Sequence, residues 1–150
     1  MKSGSSPSPD FKEFLGLLLD AKVEFALVGG YAVAYHGYPR YTGDLDILVA
    51  RDAVNAEKVI QVLGKFGFGS LQISSADLMQ SENVIQLGYP PVRIDLITSI
   101  DGVENEEVLA GIIAGDFFGM RIPIISLEHL KRNKRATGRA QDLSDLNNLP

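Results

Sequence analysis

The 150-residue chain contains no cysteine, so it has neither a disulfide framework nor a thiolate zinc site. It has no apolar run approaching the ~20 residues of a membrane span. Its first nine residues, Met1 to Pro9, hold serine, proline and glycine but no apolar stretch of the kind a secretory leader needs. They read as a disordered tail. A positive excess is missing too: 14 Lys and Arg stand against 19 Asp and Glu, a formal net charge of −5. A basic footprint over the whole molecule is thereby excluded, and any nucleic-acid contact has to be local. The chain shows no internal repeat and no second domain. Residues 10–150 read as one domain, and at 45% hydrophobic they can bury an ordinary core. The expected setting is the cytoplasm.

What the chain does have is one dense stretch, Leu27 to Ala50, reading LVGGYAVAYHGYPRYTGDLDILVA. An apolar run stops at Gly29-Gly30 and then enters a helix. Such a junction presents free backbone N–H groups at the positive end of a helix dipole, which suits a phosphate. A tight turn needing positive φ would ask for the same glycines, and the two readings coexist. Further on, a strand opens with Asp44 and Asp46. Alternation puts both on one face, with Leu45, Ile47 and Val49 on the other. Two neighbouring carboxylates repel, and a hard divalent cation relieves the repulsion.

The rest alternates helices and strands. Asp10 is placed to cap a helix to about Ala21, with Phe11, Phe14, Leu15, Leu18 and Leu19 on one stripe. Phe25 to Val28 reads as a strand, Tyr31 to His36 as a helix ended by Gly37-Tyr38-Pro39, and Leu45 to Ala50 as a strand. An amphipathic helix follows to Phe66, with Val54, Val59, Ile60 and Leu63 inward. Leu71 to Ile73 reads as a short strand, and Ser75 to Met79 as a short helix or loop. Asn83 to Leu87 and Val92 to Ile97 form a hairpin around Gly88-Tyr89-Pro90-Pro91. Asp101 to Ala114 is mixed, with Val108, Leu109, Ile112 and Ile113 turned from solvent. Met120 to Ile125 reads as a strand, placed at an edge by Pro123. Helices then run from Ser126 to Ala136 and from Ala140 to Leu149. The fold class is α/β (α+β), a mixed twisted sheet flanked by helices.

Asp95 is a lone carboxylate in the apolar strand VRIDLITSI, sharing a face with Arg93. Its burial is costly unless compensated, and either a metal or Arg93 supplies the charge. Arg40, in the loop before the aspartates, is a candidate to hold a γ-phosphate or an acceptor. His36 reads as a surface or packing histidine, and Tyr31 and Tyr35 as core-edge aromatics. The tail gathers Lys131, Arg132, Lys134, Arg135 and Arg139 within an acidic chain, which by itself describes a solvated helix face.

The glycine pair, Arg40-x-Thr42 and the paired aspartates together resemble the signature of the DNA polymerase β-like nucleotidyltransferase superfamily. The wording of the stretch looks most like the small bacterial AbiEii-type nucleotidyltransferases and their single-domain relatives. The resemblance implies a nucleotidyltransferase fold and transfer of a nucleoside monophosphate from an NTP to an acceptor, with pyrophosphate released. It implies two Mg²⁺ ions, replaceable by Mn²⁺, held by Asp44, Asp46 and Asp95. It places the triphosphate on Gly29 and Gly30, with Arg40 and Thr42 beside them. In the tail it gives Lys134 to the triphosphate and Asp142 to the edge of the site, with Arg139 behind. The acceptor is left open among a protein, an RNA end such as tRNA, and a small molecule. A partner protein or a homodimer completing the site fits so small a chain. The alternative is a catalytically silent nucleotide-binding or toxin–antitoxin module on the same fold.

Overall fold

Ser8 accepts a hydrogen bond from the Asp10 amide at 3.1 Å, and Pro9 sits in the first turn behind it. Proline fits there because its missing N–H would be unpaired in any case. The first helix therefore starts one residue before Asp10, as α1 (Pro9–Asp20). The computed structural model describes residues 8–69, 72–89 and 92–150. The expected disordered tail lies, up to residue 7, outside the described residues. So do the Pro90-Pro91 turn and the start of the strand expected at Leu71.

From α1 the chain runs β1 (Phe25–Val28), α2 (Gly29–Tyr35), β2 (Asp44–Val49), α3 (Ala53–Phe66), α4 (Ser75–Met79), β3 (Val84–Tyr89), β4 (Val92–Ile97), α5 (Asn105–Ala110), β5 (Ile113–Phe117), β6 (Met120–Ile124), α6 (Leu127–Thr137) and α7 (Ala140–Asn148). The strands form one mixed sheet in the order β3-β4-β2-β1-β6-β5. β2 runs antiparallel to β1 and parallel to β4. This is the expected α/β class with a mixed sheet flanked by helices. The core is one cluster built around Phe14, Leu18, Leu27, Leu45, Ile47, Leu96 and Ile124, all fully buried. Phe14 of α1 meets Phe66 of α3 edge to face, with ring centroids 5.0 Å apart.

Several expectations need correction. Leu19 and Val54 lie on the solvent side of their helices. The apolar stripe of α3 passes instead through Ala56, Val59, Val62 and Leu63. Gln72 and Ile73 belong to no strand, and Gln72 has a positive φ of 56°. Ile112 and Ile113 are partly exposed, because Ile113 opens β5, which has no strand on its outer side among the described residues. Pro123 does not place β6 at the edge. β6 lies between β1 and β5, but it joins β1 through the single register pair Leu27↔Ile124. A missing amide interrupts little in so short a contact.

Candidate active site

β1 runs directly into α2, with Val28 as an extended N-cap that offers no side-chain bond. The first amides of the helix therefore have no intrahelical partner. Gly29 stands at φ 71°, and a Cβ built on it would lie 2.1 Å from Oδ2 of Asp46. A Cβ on Gly30 would lie 2.2 Å from Oγ1 of Thr42. The pair is thus glycine for two reasons: the backbone turns through a left-handed conformation, and two polar side chains press against it. Gly29→Ala is expected to lower unfolding free energy by about 1–3 kcal/mol, read from a urea transition.

β2 and β4 carry the carboxylates. Their parallel register sets Asp44 opposite Arg93 and Asp46 opposite Asp95, so all four share one face of the sheet. Arg93 takes the space between the outer two. Its Nε and Nη2 donate to both oxygens of Asp95 at 3.0 and 2.9 Å, and Nη2 also lies 3.1 Å from Asp44. Asp95 is buried and held by this pair. Of the two compensating charges weighed for Asp95, the arginine is the one in contact. No group of three His, Cys, Asp or Glu side chains among the described residues is arranged to hold a metal ion.

Asp46 lies between the two, and no side chain among the described residues pairs with it. Burial, then the charges of Asp95 and Asp44, push its carboxyl up to about 7 against the opposing pull of Arg93 and Lys134. A set of oxygen donors with an unpartnered, charge-starved carboxylate at its centre fits a hard divalent cation. Asp46 can serve as a ligand as it stands, whereas Asp44 and Asp95 both contact Arg93 and have first to be released by it.

The tail reaches the same place through α6 and α7. Lys134, from the last turns of α6, is buried and lies 3.2 Å from Asp142 and 3.0 Å from Asp145. Arg139 pairs with Asp142 at 2.7 Å while its own side chain stays mostly in solvent. Arg40 grips Asp145 with two parallel bonds of 2.6 and 2.8 Å. Asp142 is therefore an anchor for Lys134 and Arg139. Arg40 is a strut between its loop and α7, with its fork already filled. Asp145 was missed in the sequence. Its signal was there, since Asp142 and Asp145 stand three apart and so share a helix face. His36 donates from Nε2 to the Ile125 carbonyl at 2.7 Å, and Tyr31 packs edge-on against Phe11 and Phe117. Both are structural.

Gly29, Gly30, Arg40, Thr42, Asp44, Asp46, Lys134, Arg139 and Asp142 all line one open cavity of about 760 Å³. Asp95 is not among the residues that line it. Tyr41, Asn133 and Gln141 also line it and were not singled out in the sequence.

No protein-family model matches the chain, and no curated protein matches it. Solved structures do. A Thermotoga maritima protein provisionally assigned as a nucleotidyltransferase, TM1012, superposes with a TM-score of 0.63 at 16% identity, covering 94% of this chain and 92% of its own. An antigenic nucleotidyltransferase-like protein from Paracoccidioides brasiliensis gives 0.58 at 16% identity, over 95% and 76%. The lincosamide antibiotic adenylyltransferase LnuA, with lincomycin bound, gives 0.53 at 18% identity, over 95% and 96%. The likeness is one of fold: this chain has the architecture of nucleotidyltransferases.

Proposed function

We propose that this protein transfers a nucleoside monophosphate from an NTP to an acceptor hydroxyl or phosphate and releases pyrophosphate. The observation that carries this reading is the contact of Gly29 with Asp46 inside a cavity of nucleotide size. It brings a row of free amides and an unpaired carboxylate to one point, on a fold shared with nucleotidyltransferases.

Asp44 and Asp46 would hold magnesium, or manganese in its place, with Asp95 joining them for a second ion. Magnesium bound there would neutralise triphosphate charge and make an acceptor hydroxyl more acidic. The amides of Gly29 and Gly30 cradle the phosphates, and Thr42 is at hand beside Gly30. Lys134 faces the aspartates and offsets charge growing on the leaving pyrophosphate. Asp142 and Asp145 fix the lysine's position, and Arg40 and Arg139 hold those two aspartates in turn. For a hydroxyl acceptor, a bond forms from its oxygen to the α-phosphorus. The bond from that phosphorus to the bridging oxygen breaks, and the proton passes to Asp95. That last role requires the Arg93–Asp95 pair to open, and Arg93 has Asp44 as its other partner.

The same pair favours a second reading, a nucleotide-binding or toxin–antitoxin module without turnover, because Arg93 fills the gap a third ligand would face. Incubation with labelled NTPs, Mg²⁺ and cell extract or tRNA separates the two. Labelled acceptor and free pyrophosphate are the expected products. NTP binding with no pyrophosphate would favour the silent module.

A further inference from the structure

The sheet face that carries the aspartates continues past them. Register sets three rows across β2, β4 and β3: Asp44, Arg93 and Gly88, then Asp46, Asp95 and Gln86, then Leu48, Ile97 and Val84. Alternate side chains of a strand share a face, so the third row is an apolar extension of the charged second. Leu48 is buried, but Ile97 is only partly covered and Val84 is 51% exposed. Both line the cavity, together with Ile100 from the turn after β4. Half-open apolar side chains on the floor of a polar cavity are surface that a ligand can remove from water.

The floor is held in shape. The Thr98 amide donates to the Asn83 carbonyl at 3.0 Å, and the amides of Asn83 and Glu82 donate to the hydroxyl oxygens of Thr98 and Ser99 at 2.9 and 2.7 Å. These bonds tie the start of β3 to the end of β4 beside the third row. Charge then decides which part of a substrate lies here. Between Glu82 and Asp101 the chain gives the cavity those two carboxylates and, among the described residues, no lysine or arginine. Arg40 stands at the glycine end instead, with Nη1 3.5 Å from the place a Cβ on Gly30 would take. Phosphates are therefore drawn to the amides of Gly29 and Gly30 and repelled from the β3–β4 side. Tyr41 is the other open ring in the cavity, but it adjoins Thr42, which presses on Gly30 at the phosphate end.

Resting on the transfer reading above, we infer that Val84 and Ile97 form the platform for the nucleobase of the NTP, so that triphosphate and base lie on opposite sides of Asp46. Asp46 touches Gly29 on one side, and the row that follows it and Asp95 on the other is the apolar one. An NTP anchored by its phosphates has one uncharged end, the nucleoside, and this row is the uncharged floor continuous with the anchor. Val84 and Ile97 are thus positioning residues for the base and take no part in the chemistry at phosphorus.

The test is a calorimetric titration of the full chain with Mg·ATP and with magnesium tripolyphosphate, which has the phosphates and no nucleoside. Val84→Asn keeps the charge of the site and sets a polar amide under the base. It is expected to weaken ATP binding by about tenfold, because that amide gives up its hydrogen bonds to water, and to leave tripolyphosphate binding as in wild type. Val84→Leu keeps the apolar surface and should bind both ligands as wild type does. If the circular dichroism of Val84→Asn shows that it fails to fold, Val84→Thr serves in its place. Undiminished ATP binding by the polar variant, equal weakening of ATP and tripolyphosphate, or a Val84→Leu variant as weak as Val84→Asn would overturn the platform and leave the transfer reading standing. A wild type that binds neither ligand would overturn both. Selective weakening of ATP with no pyrophosphate released from any NTP would uphold the platform and defeat the transfer reading alone.

Discussion

Asp46→Asn is expected to lower nucleotidyl transfer by at least about a thousandfold while making the metal-free protein more stable above neutral pH. The first effect follows because the substitution removes the unpaired carboxylate that lies against Gly29. The second follows from the proton linkage. The Asp46 carboxyl is pushed from 3.8 to about 7, by burial first and by Asp95 and Asp44 next. Between those values the folded protein holds a proton that the unfolded chain has released. Stability therefore falls as pH rises through that window. Asparagine carries no such proton, so the variant should gain on the order of 2–4 kcal/mol over wild type at pH 8 and nothing near pH 4. Thermal unfolding at the two pH values reads the difference. Excess Mg²⁺ should raise the wild-type midpoint and leave that of the variant unchanged. If Asp46→Asn instead unfolds the protein, the aspartate is structural.

Asp145→Ala is expected to cost about 3–5 kcal/mol, the largest loss of stability from any single change at this site. Asp145 has no exposed surface and stands between Arg40 and Lys134. Its removal leaves two cations close together, one of them buried, with Asp142 as the remaining anion. Arg139→Ala removes an ion pair whose arginine is 77% exposed and should cost no more than about 1 kcal/mol. A urea series on the two variants measures the contrast. The pH dependence has the opposite sign to that of Asp46. Burial pushes Asp145 up, but bonds from Arg40 and Lys134 outweigh it and leave the carboxyl below its ordinary value. This contribution is present above the ordinary carboxylate pKa and disappears as pH falls through the lowered one. Acid should thus loosen the packing of α6 on α7 while it relieves the strain at Asp46.

The aspartate strand and the glycine pair were legible because local rules decide them. Alternation alone sets Asp44 and Asp46 on one face, and a strand running into Gly-Gly can do little but turn. The register that brings Asp95 opposite Asp46 was not legible, since parallel pairing of β2 with β4 is a contact distant in sequence. For the same reason Arg93 looked like a companion of Asp95 alone, although it also reaches Asp44 from the adjacent strand. The basic tail misled in another way. Composition suggested a solvated face, yet Lys134 is buried because α7 returns two aspartates to it. Asp145 went unnoticed beside Asp142, and Arg40 was read as free because its partner lies 105 positions later. β5 was obscured because Ile112 and Ile113 continue the apolar pattern of the helix before them.

The measurement that bears most directly on the site is a calorimetric titration of ATP into wild type and Asp46→Asn, each with Mg²⁺ and with EDTA. Binding that needs Mg²⁺ in the wild type and weakens by about a hundredfold in the variant is the predicted result. Equal binding in EDTA, or an Asp46→Asn variant that binds as wild type does, would contradict a magnesium–nucleotide site at Gly29 and Asp46.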